Sequence, residues 1–491
     1  MRLRLIACSV LAAVAALAPA PEARACGGCF APPTQTTVVN GHRMALSVSP
    51  VQTVLWDQIQ YAGNPAEFAW VLPVRASARV ELSSDAWFET LDAATSVRIV
   101  APTIDCGNSG GGFGCGASAD ALSAEAAGGE QVTVLHRGTV GPYETVTLAT
   151  DTPGALNTWL ADHGFAIDAG TQPVIDAYVE EGFDFIALRL QPGKEVQEMK
   201  PVRVVTPGAG PTLPLRMVAA GTGPEVAITL FTISEARLAP EDFESVAVPI
   251  DLVSWDFSAQ ESNYGVLREQ TLAAQGGRAF LSPYAQKGAL LSPVSSPNAP
   301  FGVTYTSSGS VSPVDTIAAA YMQQGLANGE TTDSSCAMGF SELAGSADAV
   351  ANPCPAGVPL SDPSCGGVAG NLIDARAFAC GPLDDLAVAL IGLHPKDVWL
   401  TRLEANLPRE ALDVDLDLIP AASQQPVDNW IGARVAVNAD AFCGSAAPTI
   451  RTGPPAPGKG PLVGLGVAGV ALAAALARRM RRRAIEAPAT A

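Results

Sequence analysis

Residues 1–25 have the pattern of a secretory signal peptide, and this feature constrains the fold of everything that follows. Two arginines precede an apolar run, and the alanines on either side of Arg24 occupy the two positions that a signal peptidase reads. We therefore expect export, with cleavage after Ala25. Outside the cytoplasm cysteine pairs form lasting disulfides, so we expect a disulfide-stabilised body.

Cleavage at that point makes Cys26 the first residue of the mature chain, so lipid attachment is an alternative to a free N-terminus. Lipoprotein signals have a large aliphatic residue at the position of Ala23 and a small residue at that of Arg24. This chain has neither. We expect an unmodified N-terminus, with lipidation of Cys26 left open as the lesser alternative.

The other end of the chain has the order of a membrane anchor. A Pro/Gly linker at 446–460 leads into an uncharged stretch at 461–477, and the tail at 478–491 begins with closely spaced arginines. A helix over 461–477 spans about 25 Å, near the short limit for a bilayer core. Basic residues stay on the cytoplasmic side of a membrane. We therefore predict one transmembrane helix, with the body outside the cytoplasm and a basic tail inside it. The same order resembles bacterial sorting signals in which the tail is cleaved, and that alternative stays open.

Charge restricts the partners of the exported body. Between the signal and the arginine-rich tail the chain has 21 basic and 46 acidic residues, a formal charge of −25. Such a surface repels phosphate backbones, so we exclude nucleic acid as a partner. We predict no cofactor, a membrane contact through the C-terminal helix, and an unidentified partner in the envelope or at the cell surface.

Short apolar runs separated by turn residues predict strands through much of the body. Asn40-Gly41 is the strongest hairpin signal among the turns. The predicted strands lie at 36–40, 42–50, 51–61, 67–74, 183–190, 200–207, 213–221, 225–234, 244–255 and both ends of 397–421.

Four stretches have helical spacing instead: 85–96, 153–164, 172–182 and 314–329. In the first of them Trp87, Phe88 and Leu91 fall on one side, and Asp85 is the expected cap. Strands and helices do not alternate regularly, so the predicted class is α+β, β-rich, with largely antiparallel sheets, short helices and long Gly/Pro/Ser loops. We predict a first α+β unit at 26–250 and a second, β-containing and loop-rich unit at 251–445.

Several spaced segments together resemble a bacterial family, the domain of unknown function 2330. They are "CGGCFAPP" and the segments at 41–74, 156–168, 174–193, 213–218 and 397–418. The resemblance implies an exported, often membrane-tethered protein without an assigned activity, and it carries over no catalytic residue. The loops at 106–130 and 331–370 look like departures from the family pattern.

Nine cysteines remain after the signal is removed, enough for four bridges and one spare thiol: Cys26, Cys29, Cys106, Cys115, Cys336, Cys354, Cys365, Cys380 and Cys443. Cys106 and Cys115 enclose a glycine-rich loop that has little to pack, so a local bridge between them is favoured. The four cysteines from 336 to 380 are candidates for two more bridges of undetermined connectivity.

The C-G-G-C pair at the mature N-terminus has three interpretations. Thioredoxin-type redox pairs lie between a strand and a helix N-terminus, whereas Cys26 and Cys29 have no strand before them and two prolines after them. A zinc site needs two further ligands, and neither a second C-x-x-C nor paired histidines are present. We therefore predict a structural role, in which the two cysteines bond each other or tie the N-terminus to the body.

Asp413, Asp415 and Asp417 alternate with apolar residues, so a strand would place their carboxylates on one face. Such a row is a candidate calcium site, although the glycine turn and distal glutamate of an EF-hand are missing. The simpler interpretation is an edge strand with a solvated face, and no metal site is predicted.

These features favour an exported, membrane-anchored envelope protein that acts as a binding or structural module at the cell surface. The alternative is an extracytoplasmic enzyme, a hydrolase or thiol enzyme that uses Cys26 and Cys29 or the row from Asp413 to Asp417. The two hypotheses differ in what the fold should show. An enzyme needs convergent polar groups in one deep pocket, and a module uses its cysteines in bridges.

Overall fold

The computed structural model describes residues 29–30, 38–62, 69–105, 136–148, 154–163, 167, 171–191, 194, 198–219, 222–291, 317–333, 349–352, 354, 371–374, 380–440 and 449–451. Its strands are β1 (Cys29–Phe30), β2 (Val38–Val48), β3 (Gln52–Ala62), β4 (Ala69–Val74), β5 (Arg79–Leu82), β6 (Arg98–Val100), β7 (Thr103–Asp105), β8 (His136–Val140), β9 (Tyr143–Leu148), β10 (Asp184–Leu190), β11 (Val202–Pro207), β12 (Thr212–Leu213), β13 (Glu225–Ser234), β14 (Leu238–Pro240), β15 (Glu244–Val246), β16 (Ser254–Asp256), β17 (Glu261–Ser262), β18 (Ala279–Lys287), β19 (Ala349–Ala351), β20 (Asn371–Ile373), β21 (Trp399–Pro408), β22 (Leu416–Pro420), β23 (Trp430–Gly432), β24 (Val435–Val437) and β25 (Thr449–Arg451). Its helices are α1 (Asp85–Thr95), α2 (Ala155–Asp162), α3 (Gln172–Glu180), α4 (Leu215–Val218), α5 (Tyr264–Ala273), α6 (Ile317–Ala327) and α7 (Asp385–Leu390), with 3-10 turns at Ile250–Leu252 and Arg409–Ala411.

The predicted class is confirmed, because the fold is β-rich α+β with mostly antiparallel sheets and short helices. The largest sheet has eight strands in the order β15-β18-β21-β13-β2-β3-β11-β5. Its pairs are antiparallel except for β13 with β2 and β15 with β18. A second, antiparallel sheet has the order β1-β4-β10-β9-β8.

The eight-stranded sheet takes strands from both sides of the predicted boundary between residues 250 and 251. β13 pairs with β21 along its whole length, from Glu225 opposite Pro408 to Ser234 opposite Trp399. β18 then pairs with the other edge of β21. The two predicted units therefore contribute strands to the same sheet.

Alternation along the strands explains how the layers pack, since neighbouring side chains point to opposite faces. On β3, Val54 and Trp56 point to a core shared with α1, α6 and α7. Leu55 and Ile59 point to the core between the two sheets. The outer face of the five-stranded sheet packs against α2 and α3. The described residues thus form helix, sheet, sheet and helix layers in succession.

The helix layer of the eight-stranded sheet is filled by large aromatic side chains. Trp87 of α1 lies 5.9 Å from Trp56 and 5.2 Å from Tyr321 of α6, measured between ring centroids. The predicted apolar side of α1 is confirmed, because Trp87, Phe88 and Leu91 are fully buried. Tilted and edge contacts of this kind add about 1 kcal/mol each beyond the burial itself.

A buried carboxylate connects this helix layer to the sheet. Asp385, the first residue of α7, is 0 % exposed. Its Oδ2 accepts hydrogen bonds from the hydroxyls of Tyr321 and Ser84, each at 2.7 Å. Its Oδ1 accepts from Trp56 Nε1 at 2.8 Å and from Arg203 Nη1 at 3.0 Å. A buried charge is tolerated when it is paired and fully hydrogen-bonded, and Asp385 meets both conditions.

The structure corrects three local predictions near the N-terminal half. Asn40-Gly41 is not a hairpin turn but lies within β2, at a bulge between Val39 and Gly41. The stretch predicted as a strand at 213–221 contains α4, because its apolar side chains are buried on one turn of helix. The stretch at 244–255 is divided into two short strands by the 3-10 turn that follows Pro249.

The predicted cap of α1 is also wrong. Ser84 is the N-cap residue and Asp85 is the first residue of the helix. The carboxylate of Glu330, which follows α6, accepts hydrogen bonds from the backbone N–H groups of Asp85 and Ala86. The free N–H groups of a helix N-terminus are thus satisfied by a residue distant in sequence, which local patterns do not reveal.

Candidate ligand-binding site between the two sheets

A cleft of about 430 Å³ opens between the two sheets. Part of its lining is aliphatic: Leu46, Leu55 and Val204 come from the eight-stranded sheet, and Leu72 and Val74 from β4. Thr53, Thr206 and Thr212 add hydroxyl groups to the lining. We call this space the inter-sheet cleft. Its volume lies within the range of about 300–1,000 Å³ that is common for small-molecule sites.

Strand periodicity places these side chains in the cleft. Leu55 shares its face of β3 with Thr53 and Asp57, and Leu72 shares its face of β4 with Val74. The two faces oppose each other across the interior of the molecule, where their strands supply one continuous core. The cleft is the part of this interface that side chains leave open.

Arg75 stands at the mouth of the cleft, directly after β4. The residue is exposed, and its guanidinium lies 3.7 Å above the ring centroid of Phe183. Arg75 Nη1 donates a hydrogen bond to the carbonyl oxygen of Glu181 at 3.2 Å. A guanidinium has five N–H donors, so the ring and one carbonyl hold Arg75 in place while other donors remain at the mouth.

The loop from Pro207 to Pro211 forms the opposite rim. Thr53 Oγ1 donates to the carbonyl oxygen of Gly208 at 2.9 Å and accepts from the Gly210 N–H at 2.7 Å. Gly208 has a φ of +81°, which an L side chain rarely adopts. The rim is therefore fixed by the sheet below it and by a backbone conformation that needs glycine.

Asp415 lines the cleft, and its carboxylate is already hydrogen-bonded to neighbouring side chains. It accepts hydrogen bonds from the Tyr178 hydroxyl at 2.5 Å and from Arg216 Nη2 at 2.7 Å. Burial, together with the charge of Asp415, raises the pKa of Tyr178, so this hydroxyl remains a donor. Arg216 also donates hydrogen bonds to Glu181 through Nη1 and Nη2, and these hydrogen bonds lower the pKa of the Glu181 carboxyl.

A buried, hydrogen-bonded His–Asp pair lies at the inner end. A smaller cavity shares Leu55 and Leu72 with the cleft and is also lined by His42 and Asp57. His42 Nδ1 lies 3.1 Å from both carboxylate oxygens of Asp57, and the two residues are 2 % and 5 % exposed. The lining of this cavity is otherwise apolar, and no hydroxyl or thiol lines it.

The structure does not bring the three predicted calcium candidates to one point. Asp413 pairs with Arg278 Nη1 at 2.6 Å, Asp415 pairs with Arg216, and Asp417 accepts a hydrogen bond from the Thr212 hydroxyl. Each carboxylate therefore faces its own donor. Among the described residues no group of three or more His, Cys, Asp or Glu side chains is arranged to hold a metal ion.

Of the predicted bridge cysteines, Cys354 and Cys380 are buried, and both are disulfide-bonded. Cys29 lies in β1. The predicted pairing of the cysteines stays a prediction. The other candidates lie outside the described residues: Cys26, Cys106, Cys115, Cys336, Cys365 and Cys443. The same holds for the transmembrane helix predicted at 461–477, and no helix of the described ranges is long and apolar enough to cross a bilayer.

Sequence reasoning missed the residues that define the cleft. Arg75, Phe183 and the loop at 207–211 belong to no motif, and they meet only because β4, β10 and β11 come together in the fold. The one available signal was Pro207-Gly-Ala-Gly-Pro211, which marks a tight connection between strands. Asp415 was identified from the sequence, but as a candidate calcium ligand.

Comparison with known proteins places most of this site inside one family match. A family model described as "Uncharacterized protein conserved in bacteria (DUF2330)" matches residues 20–296, which include every lining residue of the cleft except Asp415. No curated protein and no solved structure matches the chain.

Proposed function

Since this chain belongs to the bacterial DUF2330 family, we propose that it is an exported, membrane-anchored envelope protein that binds a ligand in the inter-sheet cleft. The signal pattern at 1–25 supports export, and the apolar stretch at 461–477 with its following arginines supports anchoring. In this arrangement the acidic body works outside the cytoplasm.

The ligand class follows from the walls and the mouth of the cleft. Aliphatic side chains from both sheets contribute to the walls, which favours an apolar inserted part of the ligand. Arg75 is the only cationic residue among the described lining residues, and its N–H groups favour a head that accepts hydrogen bonds. An amphiphile with a hydrocarbon chain and a carboxylate or phosphate head has both properties.

The observation that carries the proposal is the combination of an aliphatic cleft with one anchored guanidinium at its mouth. A binding role is favoured over catalysis because the charged groups nearby are already paired. Asp415 and Glu181 bind Arg216, and Asp57 binds His42. The hydroxyls in the described lining of the inter-sheet cleft belong to Thr53, Thr206 and Thr212, of which Thr53 donates to the Gly208 carbonyl and Thr212 to Asp417.

Binding can be tested with the full chain held in amphipol, which avoids competing detergent. The probes are a fluorescent long-chain fatty acid and the corresponding fatty alcohol. Leu55→Trp fills the cleft, so we expect the affinity for both probes to fall by about tenfold or more. Arg75→Gln removes only the charged donor, so the affinity for the acid falls by about tenfold and that for the alcohol stays within about twofold.

Ile419→Trp serves as the matched control, because Ile419 is 40 % exposed on β22 and does not line the cleft. It should bind both probes like the parent protein. Equal affinity of Leu55→Trp and the parent would contradict the proposal, since the probe would then bind elsewhere. Location is tested separately by adding protease to cells whose outer envelope has been opened and whose cytoplasmic membrane is intact, where degradation of the body supports export and full protection opposes it.

A further inference from the structure

A further cavity among the described residues lies outside the inter-sheet cleft. It has a volume of about 510 Å³ and lies beside the end of the eight-stranded sheet. Three stretches of chain supply most of its lining: Val100–Pro102 at the end of β6, Val246–Val248 at the end of β15, and residues 427, 428 and 430–434. We call this space the β15 cleft.

The β15 cleft continues into an exposed apolar surface. A small core of Val253, Leu267 and Ala433 supports this part of the molecule. Eight large hydrophobic residues of the described chain are exposed, and five of them belong here: Ile250, Leu252, Val266, Val435 and Val437. Ile250 also lines the cleft. Concentration of exposed apolar residues on one small unit marks an interaction surface rather than ordinary scatter.

The charges around this apolar surface have one predominant sign. Residues 244–269 and 427–440 together contain seven carboxylates and two guanidinium groups. Arg268 is bound to Glu404, and Arg434 pairs with Asp251. Arg98 lies over the Trp430 ring and Arg237 donates to Ser282, which adds two cations beside the cleft. Carboxylates still outnumber cations, seven to four, which favours a cationic partner over anionic headgroups and nucleic acid.

Exposed strand edges adjoin the cleft. β15 is the end strand of its sheet and, within the described ranges, pairs with β18 alone. The pairing of β18 with β21 is interrupted between Leu281 and Tyr284, and the cleft is lined there by Ser282 and Pro283. A sheet edge next to an apolar cavity suits an extended peptide, whose main chain pairs with the edge while alternate side chains enter the cavity.

We propose that the β15 cleft binds an extended segment of another protein in which apolar residues alternate with lysine or arginine. The apolar side chains enter the cleft and cover the exposed residues around it. The cations meet carboxylates such as Glu244 and Glu261, which are exposed on the same unit. This inference is independent of the proposed ligand of the inter-sheet cleft.

Titration calorimetry of the full chain with synthetic peptides tests the charge requirement. One peptide alternates Val and Lys, and the other alternates Val and Glu at the same length. We expect the lysine peptide to bind about tenfold or more tightly than the glutamate peptide, with an affinity that falls as salt is added. Equal affinities, or binding that is indifferent to salt, would overturn the proposal.

Two substitutions locate the binding. Leu252→Ser and Val435→Ser alter residues that are 58 % and 45 % exposed, so neither threatens the core, and each should lower the affinity for the lysine peptide by about fivefold. Ile419→Ser is the control with similar exposure outside this unit, and it should bind like the parent. Unchanged affinity in both test variants overturns the proposal. So does self-association that Leu252→Ser abolishes, because the occupant is then a second copy of this chain.

Discussion

The two faces of the eight-stranded sheet solve the same packing problem differently. The face toward α1, α6 and α7 is filled by aromatic rings and by a carboxylate, Asp385, that five hydrogen bonds hold in place. The face toward the five-stranded sheet is built from aliphatic side chains and leaves the inter-sheet cleft of about 430 Å³. The face toward the helices is closely packed, and the face toward the five-stranded sheet contains a cavity. The proposed ligand would therefore occupy space that the packed side does not need.

The largest predicted effect is on the helix side of the sheet. Asp385→Asn keeps the shape but places an amide NH₂ either against the donors of Tyr321 and Ser84 or against those of Trp56 and Arg203. It also removes a counter-charge of the buried Arg203. We expect the free energy of unfolding to fall by about 3–5 kcal/mol. Denaturant unfolding with a cooperative readout measures this loss.

Asp57→Asn makes the matched change on the cleft side. The amide oxygen still accepts a hydrogen bond from His42, and no arginine is bonded to Asp57 among the contacts of the described chain. We expect a loss of only about 1 kcal/mol in the same unfolding experiment. A loss as large as that of Asp385→Asn would remove the contrast between the two faces.

A third effect is a dependence of stability on alkaline pH, which is absent at neutral pH. Burial, reinforced by the charge of Asp385, raises the pKa of Tyr321 well above its ordinary value. The proton that the folded state retains contributes stability that is complete below the unfolded pKa of about 10 and is lost as pH rises through the folded pKa.

Unfolding free energies measured above pH 10 should therefore decline by up to about 1.4 kcal/mol per pH unit less in Tyr321→Phe than in the parent. Tyr284→Phe is the comparison, because burial also raises the pKa of Tyr284, without a bond to Asp385. An identical decline in the parent and Tyr321→Phe would show that Tyr321 ionises alike in both states.

The parts of the fold that sequence predicts are those set by local periodicity. The buried side of α1 and the full extent of β13 follow from spacing alone, because each packs one regular face against the core. The bulge at Asn40-Gly41 and the helix α4 were missed, since neighbouring strands decide whether a turn-like pair stays extended.

The candidate site was hardly accessible to sequence reasoning. Leu55, Leu72 and Val204 look like ordinary core residues, and only the spacing of two sheets decides that they line a cavity. Arg75 has no motif around it, and its anchoring ring, Phe183, is distant in sequence. Asp415 was chosen for its alternation with Asp413 and Asp417, yet tertiary contacts give each of these residues a different partner.

The central position of β13, between β2 and β21, also determines when the eight-stranded sheet can be completed during synthesis of the chain. β2 is made early and β21 late, so the newly made chain carries unsatisfied strand edges until residue 408 has emerged. Folding that depends on such distant pairing is slow and exposes the chain to wrong partners. A chaperone that covers the β2–β3 hairpin during this interval would raise the yield of native protein. Truncation before Trp399 would leave the edge of β13 permanently unpaired and prone to aggregation.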